Sequence, residues 1–264
     1  MTLPIYELFA VRYATRPGSR AEHFLGGDPH DASMPMDYFV WLAISPERTV
    51  LIDTGFNAPD SPRTDISYLR TPAAGLSMLG VSPEDIRDVI VTHMHYDHAG
   101  GCGAFPNANF HVQEDEMQYA TGKHMCVPYL RRAYPVEDVV RLVRMVFAGR
   151  VHFHGHNASP MPGITLHRIG GHTPGMQAVR VHTKRGWVVL ASDASHFYEN
   201  VETNRPFRSA FNLGEMLLGF NTLRELAGTV DLIVPGHDPL VMQRYPGLES
   251  RTQDAIVRLD VRPF

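Results

Sequence analysis

The sequence predicts an α/β (α+β) fold of two packed sheets with helices on the outside. Two observations carry this. Short apolar runs rich in Val, Ile and aromatic residues, bounded by Gly, Pro, Asn or Asp, fall in two groups, roughly residues 5–112 and 165–234. Helical stripes are interspersed in both groups, and no repeat, low-complexity tract or linker divides them. The 264 residues suit one domain over 1–264. A chain of this length buries most of its unfolded surface and needs no disulfide staples.

In chain order, the strand-like runs are 5–13, 37–44, 49–52, 89–92, 109–112, 165–169, 177–182, 187–191 and 231–234. Ser82-Pro83-Glu84-Asp85 reads as a helix opening, with Ser as N-cap, Pro at the first position and acids in the first turn. Residues 136–148 carry apolar side chains at 136, 139, 140, 143, 146 and 147, a helical stripe. A second stripe spans 212–227 and ends at Gly228, a C-cap residue type. Residues 15–36 hold Pro17, Gly18, Gly26, Gly27, Pro29 and Pro35 with little periodicity, and read as an inserted, lid-like loop. Residues 57–71 read similarly.

Composition narrows the function. Apolar residues make up 44% and charged residues 20%, so the chain is globular rather than disordered. A net charge of −4, with no Lys/Arg run beyond pairs such as Arg131-Arg132, argues against a nucleic-acid partner. No apolar stretch reaches the ~18 residues of a membrane span. The N-terminus lacks the basic and apolar regions of a signal peptide, so the expected compartment is the cytoplasm. Cys102 and Cys126 are too few for a disulfide framework and are expected to be reduced. The unusual number is 15 histidines, since imidazole is the commonest metal ligand.

The strongest local signal is Val89-Ile-Val-Thr-His93-Met-His95-Tyr-Asp97-His98-Ala-Gly-Gly101. A β-rich run ends in four ligand-type residues within six positions. His93 and His95 are two apart and point the same way on an extended segment. Asp97 and His98 fall where the chain turns, and can face a second centre. A core would not tolerate Asp97 unpaired. Three more segments repeat the arrangement: Gly170-Gly-His172-Thr-Pro-Gly175, Val188-Val-Leu-Ala-Ser-Asp193 and Leu232-Ile-Val-Pro-Gly-His237. A lone His in a Gly-rich turn is weak evidence, and an Asp after a strand can be a cap. Together they make five His and two Asp at strand ends, where open α/β sheets build ligand sites. His152, His154 and His156 form another group, read as a polar strand face or loop. His111, His124, His167 and His182 read as ordinary.

These motifs resemble the metallo-β-lactamase superfamily, in order Asp53 in Leu-Ile-Asp-Thr-Gly, the His-x-His-x-Asp-His block, His172, Asp193 and His237, over roughly residues 37–240. The resemblance implies a four-layer αββα sandwich with a dinuclear metal site along one sheet edge. His93, His95 and His172 would hold one ion, Asp97, His98 and His237 the other, and Asp193 would bridge them. Asp53 would orient a ligand from behind. The implied cofactors are two Zn²⁺, with iron or manganese able to take the same sites. Within the superfamily, His-Met-His-Tyr-Asp-His-Ala-Gly-Gly and Gly-His-Thr-Pro-Gly-Met-Gln are similar to N-acyl-homoserine lactonase-like lactonases. Those enzymes place a Tyr three residues after the bridging Asp, and this chain has His196 there, with Tyr198 two residues on.

The resemblance implies a hydrolase acting on ester bonds of a lactone or related cyclic ester. Two cations sharing one water lower its pKa to roughly 7, and the hydroxide attacks a polarised carbonyl. Asp97 would pass the proton to the leaving alkoxide, and His196 or Tyr198 would hydrogen-bond the carbonyl. Alternatives are a glyoxalase II-like thioesterase or another ester or amide hydrolase, an iron-dependent oxidoreductase on the same fold, and a non-catalytic metal-binding protein. The expected partner is a small-molecule substrate, on a monomer or homodimer. Met36, Phe39, Tyr68, Met125, Tyr129 and Phe207 are candidate pocket walls.

Overall fold

The computed structural model describes residues 3–57, 63–248, 252 and 254–264. The first sheet collects β1 (Glu7–Arg16), β2 (Met36–Ile44), β3 (Thr49–Ile52), β4 (Ser67–Tyr68), β5 (Asp88–Ile90), β6 (Asn109–Gln113) and β7 (Val151–His154). The second holds β8 (Asn157–Met161), β9 (Ile164–Arg168), β10 (Gln177–Thr183), β11 (Gly186–Ser192) and β12 (Ile233–Pro235). The last strand, β13 (Ile256–Arg258), returns to the first sheet beside β1. The sheet orders are β13-β1-β2-β3-β5-β6-β7, with β4 also on β1, and β12-β11-β10-β9-β8.

Period-two alternation explains the layering. On β2, Phe39, Trp41 and Ala43 join Leu166, Val179, Val181 and Leu190 in a core between the sheets. The intervening Tyr38, Val40 and Leu42 face outward and pack with Val89, Phe110, Leu142 and Met145. Leu142 and Met145 belong to the helix Val136–Phe147, which forms where the sequence predicts it but is turned from the predicted stripe: Asp138, Leu142 and Met145 are its buried residues, Val139, Val143 and Val146 are half-buried beside them, and Val136 and Phe147 are exposed. A third core packs Val189, Ala191 and Ile233 under Met216, Phe220 and Leu223 of the helix Leu213–Ala227. That helix closes at Gly228, as the sequence predicts, and Asn212, read as its first residue, is instead its N-cap. Three cores between four layers make the expected αββα sandwich. No described helix is long and apolar enough to cross a membrane.

Several local expectations need correction. Ser82 does cap, but it opens one 3-10 turn, Pro83–Asp85, because Ile86 turns extended to enter β5. β4, β7, β8 and β13 were not anticipated: β4, β7 and β8 are marginal strands with half-polar sequences that lack an apolar run, and β13 is a short edge strand whose apolar Ala255-Ile256-Val257 is buried against β1. β7 contains His152 and His154, settling their placement as a strand. β1 runs on to Arg16, so residues 15–36 begin in strand. A capped helix follows at Arg20–His23. This segment is pinned: Arg20 grips Glu199 with both terminal nitrogens at 2.8 and 2.7 Å, and Arg20 and Arg205 each meet Asp28 at 2.8 Å. In the 57–71 loop, residues 58–62 lie outside the described residues; β4 occupies its later part.

The topology positions the site. β3, β5, β6 and β7 are parallel neighbours, and β11 is parallel to β12. β9 and β11 both run antiparallel to β10 and so share a direction. The C-terminal ends of β3, β5, β9, β11 and β12 therefore meet along one edge of the sandwich. Gln177 ties the sheets there, its backbone N donating to Thr92 O at 3.0 Å and its Nε2 to Val91 O at 2.7 Å.

Candidate metal centre

Each strand end delivers one group. β3 ends before Asp53, β5 before His93, β9 before His172, β11 before Asp193 and β12 before His237. After His95 the chain coils into the short helix Tyr96–Ala99, which turns Asp97 and His98 inward. Close approach sets the backbone. A Cβ on Gly236 would lie 2.7 Å from the carbonyl of Ser192, and one on Gly171, at φ +83°, would lie 2.6 Å from the Met216 backbone. Asp53 and Ser192 hold left-handed φ values of 59° and 46° without being glycine. Such strain gathers at functional sites and needs a surrounding network to hold it. That network is present: Asp53 accepts from Thr92 N and Thr92 Oγ1, both at 2.7 Å, and Thr92 Oγ1 meets Ser192 Oγ at 2.9 Å.

The structure brings all seven predicted side chains together in two groups. In the first, His95 Nδ1 lies 3.0 Å from both His93 Nε2 and His172 Nε2. Asp193 Oδ2 lies 3.2 Å from His172 Nε2 and 3.8 Å from His93 Nε2. In the second, Asp97 Oδ2 lies 3.6 Å from His98 Nε2 and 3.7 Å from His237 Nε2. The other Asp193 oxygen, Oδ1, lies 3.3 Å from His98 Nε2 and 3.0 Å from His237 Nε2. Asp193 thus turns one oxygen to each group. Six of the seven are buried, and His95 edges the cavity.

These groups fit metal ions. His98 Nε2 and Asp193 Oδ1 are buried without a hydrogen-bond partner, a costly arrangement unless something else satisfies them. Ligand atoms 2.0–2.1 Å from a tetrahedral ion stand about 3.3 Å apart, inside the spacing found here. The opposite ring nitrogens are tied back, as oriented ligands require. His98 Nδ1 meets Asp53 Oδ2 at 2.7 Å, His172 Nδ1 meets Ser209 O at 2.5 Å and His237 Nδ1 meets Asp37 O at 2.8 Å. Asp53 therefore stands behind His98. Burial and the neighbouring rings hold His93 and His95 well below the usual histidine range, and burial takes His172 to about 4. Neutral imidazoles are the form that binds metal. For His98 and His237 burial opposes the charge, but the facing carboxylates override it and raise both.

His196 and Tyr198 part ways. His196 lines the cavity and stacks on Phe207 at 3.6 Å. Its Nε2 is 2.9 Å from Asp193 Oδ2, and burial lowers its pKa to about 4. Because a carboxylate oxygen only accepts, this nitrogen carries the hydrogen and is spent on Asp193. Tyr198 does not reach in: its ring packs in the core between the sheets under the Arg244 guanidinium at 3.8 Å. It opens the helix Tyr198–Thr203 after an extended Phe197, and its backbone N donates to Asp238 Oδ2 at 2.9 Å. The cavity's phenols are instead Tyr38 and Tyr96. Burial first, then the Asp97 charge, pushes Tyr38 up to about 12 and raises Tyr96. Tyr96 sits inside the His-rich motif and Tyr38 on the outward register of β2, signals the residue pattern does carry.

Glu116 was missed altogether. This buried carboxylate accepts from Met94 N at 2.9 Å, Tyr134 Oη at 2.8 Å, Thr173 Oγ1 at 2.6 Å and Gly175 N at 3.1 Å. It clamps the loop carrying His93 and His95 to the loop carrying His172. Nothing nearby in sequence marks it, since Glu114-Asp115-Glu116 reads as an exposed acidic first turn. Of the candidate walls, Met36 and Phe207 line the cavity, and Tyr129 lines a small adjoining cleft. Phe39 is core, and Tyr68 and Met125 pack against the outer core.

The chain belongs to the metallo-beta-lactamase superfamily, whose family model matches residues 34–237. More particularly, it is 34% identical over 165 residues to an N-acyl homoserine lactonase of Bacillus sp, a stretch covering 62% of this chain. The chain spans 60% of that relative's length. Its fold matches a quorum-quenching N-acyl homoserine lactone lactonase with a TM-score of 0.75 at 24% identity, covering 90% of this chain and 95% of the other. It also matches a dizinc quorum-quenching lactonase in complex with a product, N-hexanoyl-L-homoserine, at TM-score 0.68 and 20% identity, covering 90% of each chain.

Proposed function

We propose that this protein is a dinuclear metal-dependent hydrolase, with zinc as its metal, that opens a lactone or related cyclic ester. The single observation carrying this is Asp193, whose two oxygens face two separate sets of ligand nitrogens. The likeness to lactonases supports the substrate class. His93, His95 and His172 would hold one ion, Asp97, His98 and His237 the other, with Asp193 shared. Two bound divalent cations would supply a nucleophilic water at neutral pH and a Lewis acid for a carbonyl.

The chain's own groups do the rest. Tyr38 and Tyr96, kept protonated by burial, donate hydrogen bonds to the carbonyl oxygen as charge develops there. Asp97, which lines the cavity, takes a proton on a carboxylate oxygen and passes it to the leaving oxygen. His196 donates to Asp193 Oδ2 and holds that carboxylate between the two groups of nitrogens, where it would be shared by both ions. Asp53, Ser209 O and Asp37 O fix the tautomers of His98, His172 and His237. The test is elemental analysis of the purified protein together with turnover on a panel of lactones, thioesters and esters. Two equivalents of metal and a preference for lactones are expected. Full activity after exhaustive chelation, or a panel on which thioesters lead, defeats the reading.

A further inference from the structure

We propose that the substrate carries an anionic group, a carboxylate or a phosphate, which docks on arginines at the mouth of the cavity. This rests on the hydrolase reading above and names the substrate class. The chain is acidic as a whole, at −4. Its cavity is not: Arg16, Arg63, Arg132 and Arg208 line it against Glu22 and the two metal-site carboxylates, Asp97 and Asp193. Glu22 is already engaged, its Oε2 accepting from Ser19 N at 3.0 Å in the capping box. Arg63 pairs with Asp65 at 2.8 Å, and Arg16 reaches the same Asp65 at 4.0 Å.

Arg132 and Arg208 stand differently. Arg132 lies over the Tyr129 ring at 3.9 Å and donates to Tyr129 O at 2.8 Å. Arg208 donates to Phe24 O at 3.3 Å. Each is held by a neutral partner, and neither forms an ion pair among the described residues. A guanidinium has five N–H donors in a fork shaped for carboxylate or phosphate, so both arginines keep donors for a ligand. The cavity, about 380 Å³, suits a small molecule. Two divalent cations, where bound, would outweigh Asp97 and Asp193 on its floor, so floor and rim would favour an anion together. Few purely apolar side chains, Met36 and Phe207 among them, offer a wall to a long neutral chain.

The test compares three metal-loaded reactions on one ring: a γ-butyrolactone bearing a carboxylate, its neutral carboxamide, and the same ring bearing a phosphate monoester. At least one anion should exceed the carboxamide about tenfold in kcat/KM at low salt, and the advantage should shrink toward about 0.5 M NaCl. The carboxylate and phosphate arms tell which anion the mouth selects. Arg132→Gln combined with Arg208→Gln should bring the ratio toward one, and the two Lys substitutions should restore part of it. Calorimetric binding of cyclopentanone-3-carboxylate against its carboxamide reads the same preference without turnover. A ratio near one in both assays, or a preference untouched by the paired Gln substitutions, overturns the proposal. Anion-selective binding that depends on the arginines, with no lactone turned over, overturns the hydrolase reading and leaves the anion site standing.

Discussion

His93, His95, His98, His172 and His237 stand at strand ends inside the molecule, while His111, His152 and His154 stand side by side on β6 and β7. Both groups are dense in imidazole, and their wiring differs. In the first, one nitrogen of His98, His172 and His237 is tied to a carboxylate or carbonyl, and the other points to a shared space. In the second, His111 spends both nitrogens on neighbours, Nδ1 on His154 at 3.0 Å and Nε2 on Asp88 at 3.2 Å. The rings then stack, at 5.2 Å between centroids. Among the described residues, the groups of ligand atoms close enough to hold one ion all gather around Asp97 and Asp193, one of them pairing His196 with Asp193 and His237, and none includes His111, His152 or His154. Histidine density alone is therefore poor evidence for a metal. What matters is a free nitrogen on each ring, a fixed tautomer and an acceptor with no proton to receive.

The sharpest break in this contrast is Asp193→Ala. It removes both inward oxygens and should cost one metal equivalent and turnover on the order of a thousandfold, about 4 kcal/mol. Two retained equivalents by elemental analysis would sink the bridging role. Glu116→Gln comes next: it turns an amide N–H toward four donors, so the two ligand loops should loosen. Metal affinity is expected to fall about 10- to 100-fold, with turnover recovered by excess metal; an unchanged chelator titration would show that Glu116 only packs. Asp53→Asn keeps a residue type that tolerates φ +59° but weakens the orientation of His98. About tenfold weaker binding of one equivalent is expected, with the other unaffected; equal weakening of both would contradict the two-group geometry.

The smallest effect is expected in the second cluster. His154→Asn should leave metal stoichiometry unchanged, and a lost equivalent would erase the contrast drawn above. Burial, then His111 and His152, lowers His154 to about 4. Because the folded value lies below the unfolded one, near 6.5, the unfolded chain binds more protons between them. Stability is then full above about 6.5 and falls as pH drops toward 4. The variant should lose part of that slope in thermal melts of metal-loaded protein; a parallel slope would show that His154 does not titrate there.

How legible all this was depends on range. The strands 49–52, 109–112 and 177–182 announce themselves because an apolar or β-branched run between turn residues is a local property. β7 and β8 do not, because their side chains are polar at the margin of a sheet and only a paired neighbour makes them strands. Tyr198 was misplaced for a related reason: spacing in sequence says nothing of the extended Phe197 and helix start that leave it under Arg244.

The sequence by itself determined the kind of chemistry and its strand-end placement, since ligand type and the run before it are readable residue by residue. Tertiary structure decided which nitrogen faces which oxygen, how Asp193 divides itself, that Glu116 joins two loops, and that Arg132 and Arg208 share one mouth. Those facts arise where strands distant in the chain converge. Hydrogen bonds and charge act across a few ångströms of space, and the order of residues does not record that distance.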